Sequence, residues 1–134
     1  MKKINILILL IILLLTPAIH KVSDKFPPEW FHSKFDNSII NKIPYGILIS
    51  YLTITILEFL GPLFFILALA SGEFKENVET KFTNWGFQIS LILFTILTFG
   101  SFLIQDYENG FLDFMYFVAI ALLQKLFWPS KLEI

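Results

Sequence analysis

Four long apolar runs, at 4–19, 45–70, 85–104 and 111–128, leave this chain few ways to fold. A helix rising 1.5 Å per residue needs about 20 apolar residues to cross the hydrocarbon of a bilayer. The last three runs have that length, and the first, Ile4 to Ile19, is slightly short of it. Lipid offers no hydrogen bonds to a loose backbone, so a spanning segment is either a helix or a strand of a closed barrel. Barrel strands alternate polar and apolar residues. The runs here do not alternate, which selects helices. Hydrophobic residues make up 56% of the 134 and charged residues 16%, against roughly 25% charged in soluble domains. A soluble domain of this size could not bury so much apolar surface. The expected fold is all-α: an integral membrane four-helix bundle, one transmembrane domain over 1–134, with a short interfacial helix in the first loop.

The first run has a second reading. Lys2 and Lys3 precede a Leu/Ile run ending at Thr16-Pro17-Ala18, the layout of a signal peptide. Cleavage after Ala18 would leave three spans. Thr-Pro-Ala is a poor cleavage site and no soluble domain follows, so retention of this helix is the expectation.

The connection from His20 to Pro44 mixes charged residues with Phe26, Trp30, Phe31 and Phe35. Pro27 and Pro28 break any helix continuing from the first span, and Pro28 suits the first turn of a new one from Glu29 to about Ile40. Its aromatic residues suit an element lying at the headgroup level or dipping slightly into the bundle. Ser71 to Asn84 is a polar connection carrying Glu73, Lys75, Glu76, Glu79 and Lys81. Gln105 to Gly110 reads as a tight turn, with Asn109-Gly110 among its turn formers, so the last two spans form an antiparallel hairpin. Trp30, Trp85 and Trp128 stand where interface anchors are expected. Lysines near span ends set orientation. The Lys2–Lys3 pair, with Lys75, Lys81 and Lys131 on the same side, predicts a multi-pass protein of the cell membrane with both termini cytoplasmic.

Composition also excludes chemistry. There is no cysteine, which removes disulfides, thiolate metal sites and a cysteine nucleophile. All ten basic residues are lysine, so no guanidinium clamp exists. A net charge of −1 gives no field for nucleic acid. No P-loop, GxGxxG, HExxH or GxSxG motif is present, so the reading leans away from an enzyme.

Glu58 is the most informative residue. It lies near the middle of the second span, where an ionised carboxylate is costly. Tyr51, Thr55, Glu58 and Pro62 follow at steps of 4, 3 and 4, which puts them on one helix face, turned into the bundle. That face is a candidate intramembrane polar site: a proton site, a ligand contact, or simply structural glue between helices. Pro62 also removes a backbone bond near Glu58 and is a candidate kink. In the third span Gln88, Thr95, Thr98, Ser101 and Gln105 share a broad face, read first as an interhelical hydrogen-bond stripe. His20, Lys21 and Trp30 are candidate loop contacts. His20 and His32 are too isolated to suggest a metal or haem site. Asp113, at the start of the fourth run, favours the helix dipole there.

The layout resembles the DoxX-like membrane proteins, small four-helix bundles with a long first connection and a tight final hairpin. The matching residues are His20-Lys21 closing the first span, Phe26-Pro27-Pro28 after it, Glu58-Phe59-Leu60-Gly61 in the second span, and 106–114 opening the fourth. Some proteins of that family are membrane subunits linked to sulfur or quinone redox systems and many have no assigned activity, so the resemblance implies a small membrane subunit of that kind. The leading expectation is thus a noncatalytic subunit or accessory of a redox or envelope system, holding a membrane-protein partner or a lipid-like ligand such as a quinone, with no bound cofactor required. The alternative is a small oligomeric permease or channel, a homo-oligomer using Glu58 and the third-span stripe. A membrane enzyme with Glu58 as proton donor, near Lys21 or His20, comes third.

Overall fold

The computed structural model describes residues 2–22, 29–75 and 78–129. Phe26-Pro27-Pro28 and the tail after Pro129 lie outside the described residues. Over the described residues the chain is helical without strands. Its long helices are α1 (Lys2–Val22), α4 (Gly46–Ala70), α5 (Lys81–Leu103) and α6 (Tyr107–Phe127), and each is long and apolar enough to cross a membrane. Two short helices, α2 (Glu29–Phe35) and α3 (Ile39–Lys42), lie in the first connection. The protein is a multi-pass membrane bundle.

The helix ends depart from the apolar runs in instructive ways. α1 continues through Pro17. Next to that proline, the Thr16 hydroxyl donates to the Ile12 carbonyl at 2.8 Å. α5 begins at Lys81, a full turn before its apolar run, because a polar first turn outside hydrocarbon is still helical. The expected single helix from Glu29 to Ile40 is two pieces. The Ser38 hydroxyl bonds back to the Phe35 carbonyl at 2.7 Å and the Asn41 amide to the Asp36 carbonyl at 2.7 Å, which closes a turn between them.

The tight turn between α5 and α6 is shorter than expected. Asn109-Gly110 is not in it but in the first turn of α6. Asp106 is the N-cap, its carboxylate accepting from the Asn109 backbone at 3.4 Å and side chain at 2.7 Å. Gly110 is buried there, with Ser101 and Phe102 of α5 close enough to crowd any side chain.

Packing follows chain order: α4 lies against α1 and α5, and α5 against α6. In lipid, close packing rather than water exclusion holds helices together, and small residues allow it. α1 offers the buried stripe Leu7, Leu10, Leu14 and Ala18. At the α4–α5 interface the buried Gly61 lies against Ser90, and the buried Gly86 lies against the Phe65 ring. Phe65 and Phe87, both fully buried, meet edge to face at 5.2 Å. Trp128 is not a surface anchor: it is 3% exposed and packs on Phe87 at 5.4 Å, whereas Trp30 and Trp85 stay over half exposed. The Lys3 ammonium lies 5.6 Å from the Trp128 ring, so the start of α1 and the end of α6 occupy one end of the bundle.

Both α4 and α5 end in the same hydrogen-bond motif. Glu73 N–H donates to the Ala68 carbonyl and Gly72 N–H to Leu69, with Gly72 in the left-handed region at φ 73°. Asp106 N–H donates to Ser101 and Gln105 N–H to Phe102, but here the left-handed residue is Gln105, at φ 63°. A non-glycine residue pays roughly 1 kcal/mol for that conformation. Gln105→Gly is therefore expected to raise the thermal midpoint in detergent, by about 1 kcal/mol of stability less the added chain entropy. A lower midpoint would contradict the assigned strain.

Candidate functional site

α4 builds the interior polar line by helical periodicity alone. Tyr51 is fully buried, Thr55 is 9% exposed and Glu58 is 6% exposed, with Gly61 and Pro62 buried on the same side of the helix. The opposite side, through Ile49, Ile56, Leu63 and Ile66, is open to lipid. Gly61 shows where the line points. A methyl group built on it would approach Ser90 of α5 at 3.3 Å and Leu14 of α1 at 3.5 Å, so this face looks between α1 and α5. Glu58 lies one turn earlier on that face.

The groups on this line are constrained differently. The Thr55 hydroxyl donates to the Tyr51 carbonyl at 2.8 Å, so its hydrogen is already committed. Pro62 has no N–H, and the Glu58 carbonyl four residues back loses its helical donor. α4 is nonetheless continuous from Gly46 to Ala70.

The candidate loop contacts are placed only in part. His20 and Lys21 lie in the last turn of α1, with side chains outside the described residues. Trp30 is 55% exposed on α2. The end of α2 covers the loop end of the bundle. Phe35 is 7% exposed, and a methyl group on Gly100 of α5 would touch its ring at 3.5 Å. Next to it, Lys34 Nζ pairs with Asp106 Oδ2 at 3.0 Å, tying α2 to the α5–α6 turn.

Asn109 first and Lys34 second hold the Asp106 carboxyl below its ordinary value of 3.8. A carboxylate lowered by folding contributes stability that is complete above its unfolded value and lost as pH falls through its folded value. The tie is therefore expected to persist at about pH 5 and to release only in stronger acid. Spin labels on α2 and the α5–α6 turn check this: their distance should hold between about pH 7 and 5. Lengthening within that window would contradict it.

The third-span stripe does not form a common interior face. Gln88 and Thr95 are exposed, Thr98 is half-buried and Ser101 is buried. Thr95 and Thr98 hydroxyls bond within α5, to Leu91 at 2.8 Å and Phe94 at 2.7 Å, rather than across helices. Among the described residues, Ser101 alone of this set reaches another helix, donating to Asp113 Oδ2 at a long 3.5 Å. Asp113 is two turns into α6, not at its start.

Sequence reasoning missed Glu73. It is 3% exposed, and its carboxylate accepts from Phe82 N–H at 3.1 Å, Thr83 N–H at 2.9 Å and the Thr83 hydroxyl at 2.9 Å. It thereby caps the first turn of α5, where Thr80 makes no side-chain cap. The signal was Ser71-Gly72 closing α4, which makes the next residue part of a fixed turn. No family model matches the chain, and neither a curated protein nor a solved structure matches it.

Proposed function

We propose that this chain is a noncatalytic subunit or accessory of a membrane redox or envelope system, of the DoxX-like kind, that uses the Tyr51–Thr55–Glu58 line to hold a partner or a lipid-like ligand such as a quinone. One observation carries the reading: a carboxylic acid, 6% exposed, in the middle of a 25-residue spanning helix. Such a residue is costly in lipid and is retained where it binds, relays or pairs. α2, with Trp30 on its outside and Phe35 turned in, offers a second contact at the loop end. The chain lies in the cell membrane with both termini in the cytoplasm, as the Lys2–Lys3 pair favours.

The permease reading has less support. Glu58 faces inward on α4 while Gln88 and Thr95 face outward on α5, so one copy cannot line a single path with both.

Purification in mild detergent tests the proposal. The wild-type chain is expected to carry a stoichiometric partner or an extractable lipid-like molecule. Glu58→Gln and Glu58→Leu are expected to stay folded and to lose it. A folded Glu58→Leu that retains everything the wild type carries would refute the role of this line. Loss of folding in Glu58→Leu, with Glu58→Gln unaffected in every respect, would assign Glu58 to structure.

A further inference from the structure

Phe35 anchors α2 to the bundle. Trp30, Ser33 and Lys34 of this helix are exposed, and Phe35, 7% exposed, is its one buried side chain among the described residues. α3, which follows, has no buried residue. A second tie is the ion pair from Lys34 to Asp106 at 3.0 Å, which leaves the lysine side chain 34% exposed. A segment with so little buried apolar contact belongs to the low end of local stabilities and opens at small cost.

The Phe35 ring is seated at a definite place in the helix register. Gly61 of α4 lies against Ser90 of α5, and Phe65 against Gly86, so the antiparallel register brings Tyr51 level with Gly100. Gly86, Ser90, Leu93, Leu97 and Gly100 follow at steps of 4, 3, 4 and 3, which makes them one face of α5, the face turned to α4. A methyl group on Gly100 would stand 3.5 Å from the Phe35 ring. Phe35 also shares one apolar cluster with Ile47 and Tyr51, and α2 packs against α4. The ring therefore sits at the depth of Tyr51, the member of the polar line nearest the first connection.

We infer that α2 is a lid on the Tyr51–Thr55–Glu58 line: when Phe35 leaves its seat on Gly100, the line opens to the headgroup side, and a lipid-like ligand enters by that route. The Lys34–Asp106 pair is the latch. The opposite end is shut, because beyond Glu58 the contacts of Gly61 with Ser90 and of Phe65 with Gly86 close α4 on α5, and Trp128 packs on Phe87. The inference rests on the proposed role of the line. Its test reads access rather than binding, so either can fail without the other.

The native chain has no cysteine, so single cysteines report access directly. In discs of phosphatidylcholine bilayer, Thr55→Cys is expected to react slowly with a cationic, water-soluble methanethiosulfonate. Adding Phe35→Ala is expected to speed that reaction at least about tenfold, since a buried phenyl ring supplies most of what holds α2 closed. Lys34→Met should speed it by a smaller factor, because an exposed ion pair contributes little. Ser90→Cys, at a fully buried position beyond Glu58, should react slowly in all three backgrounds. A Thr55→Cys rate unchanged by Phe35→Ala would overturn the lid. So would equal acceleration at 55 and 90, which would mean a bundle loosened throughout. Should Phe35→Ala fail to fold, the same two rates in Lys34→Met decide: acceleration at 55 alone supports the lid, and its absence refutes it.

Discussion

Glu73→Ala is expected to lower the stability of the detergent-solubilised protein by about 3 kcal/mol, since hydrogen bonds to a charged group contribute roughly 1.5–3 kcal/mol each and are not additive. The carboxylate takes three donors at the start of α5, two backbone N–H groups and the Thr83 hydroxyl, in a site that is 3% exposed. Removing it leaves buried donors unsatisfied and takes negative charge from the positive end of the helix dipole. The same residue closes the turn after α4 through its own N–H to Ala68. That bond survives the substitution, so the damage is expected at α5 and not in α4. Glu73→Gln should be intermediate: one oxygen can still serve Thr83, while the amide N–H₂ opposes the Phe82 N–H. Thermal unfolding of the three proteins, with hydrogen exchange at Phe82 and Thr83, checks both size and place. Equal midpoints for Glu73→Ala and wild type would contradict the capping role.

Gly86→Val is expected to be comparably severe, at roughly 3 kcal/mol, the upper end of overpacking costs. A methyl group at position 86 would fall 2.8 Å from the Phe65 ring, closer than packed carbons come. Phe65 has no room to retreat, being fully buried and already edge-on against Phe87. The sign for alanine is less one-sided. Helix propensity would return up to about 1 kcal/mol for Gly→Ala, offsetting part of the clash. Valine recovers only a few tenths of a kcal/mol in this way and adds two methyl groups to the clash. Phe65→Leu, by opening the opposing space, should rescue Gly86→Val in a double-mutant cycle by at least about 1 kcal/mol. Additive losses would mean that the two positions do not touch.

The helical bundle was legible because lipid makes one simple demand, length of apolar sequence, and the four runs meet it. Glu58 was legible for the same reason, as an acid where the solvent tolerates few, and its alignment with Tyr51 and Thr55 needs only 3.6 residues per turn. What hydropathy hides is whatever lies beside the hydrocarbon. Lys81, Thr83 and Asn84 are polar, so the first turn of α5 looked like loop. Asn109-Gly110 has turn-forming chemistry, yet Asp106 caps the helix three residues earlier, and Gly110 serves close approach to α5. Glu73 acts on Phe82 and Thr83 across a connection, a contact no local spacing encodes. The third-span stripe failed differently. Steps of 7, 3, 3 and 4 drift around the helix, so Ser101 turns inward while Gln88 turns out.

Spin labels at positions 58 and 56, attached in separate proteins through Glu58→Cys and Ile56→Cys in a native chain free of cysteine, test the central claim most directly. In a bilayer, the label at 56 should relax readily with lipid-soluble oxygen, while the label at 58 is shielded from both oxygen and a water-soluble nickel complex. Collisions with the nickel complex as frequent at 58 as at the helix ends, or oxygen access equal at the two sites, would mean that α4 does not hold Glu58 inside a membrane-embedded bundle.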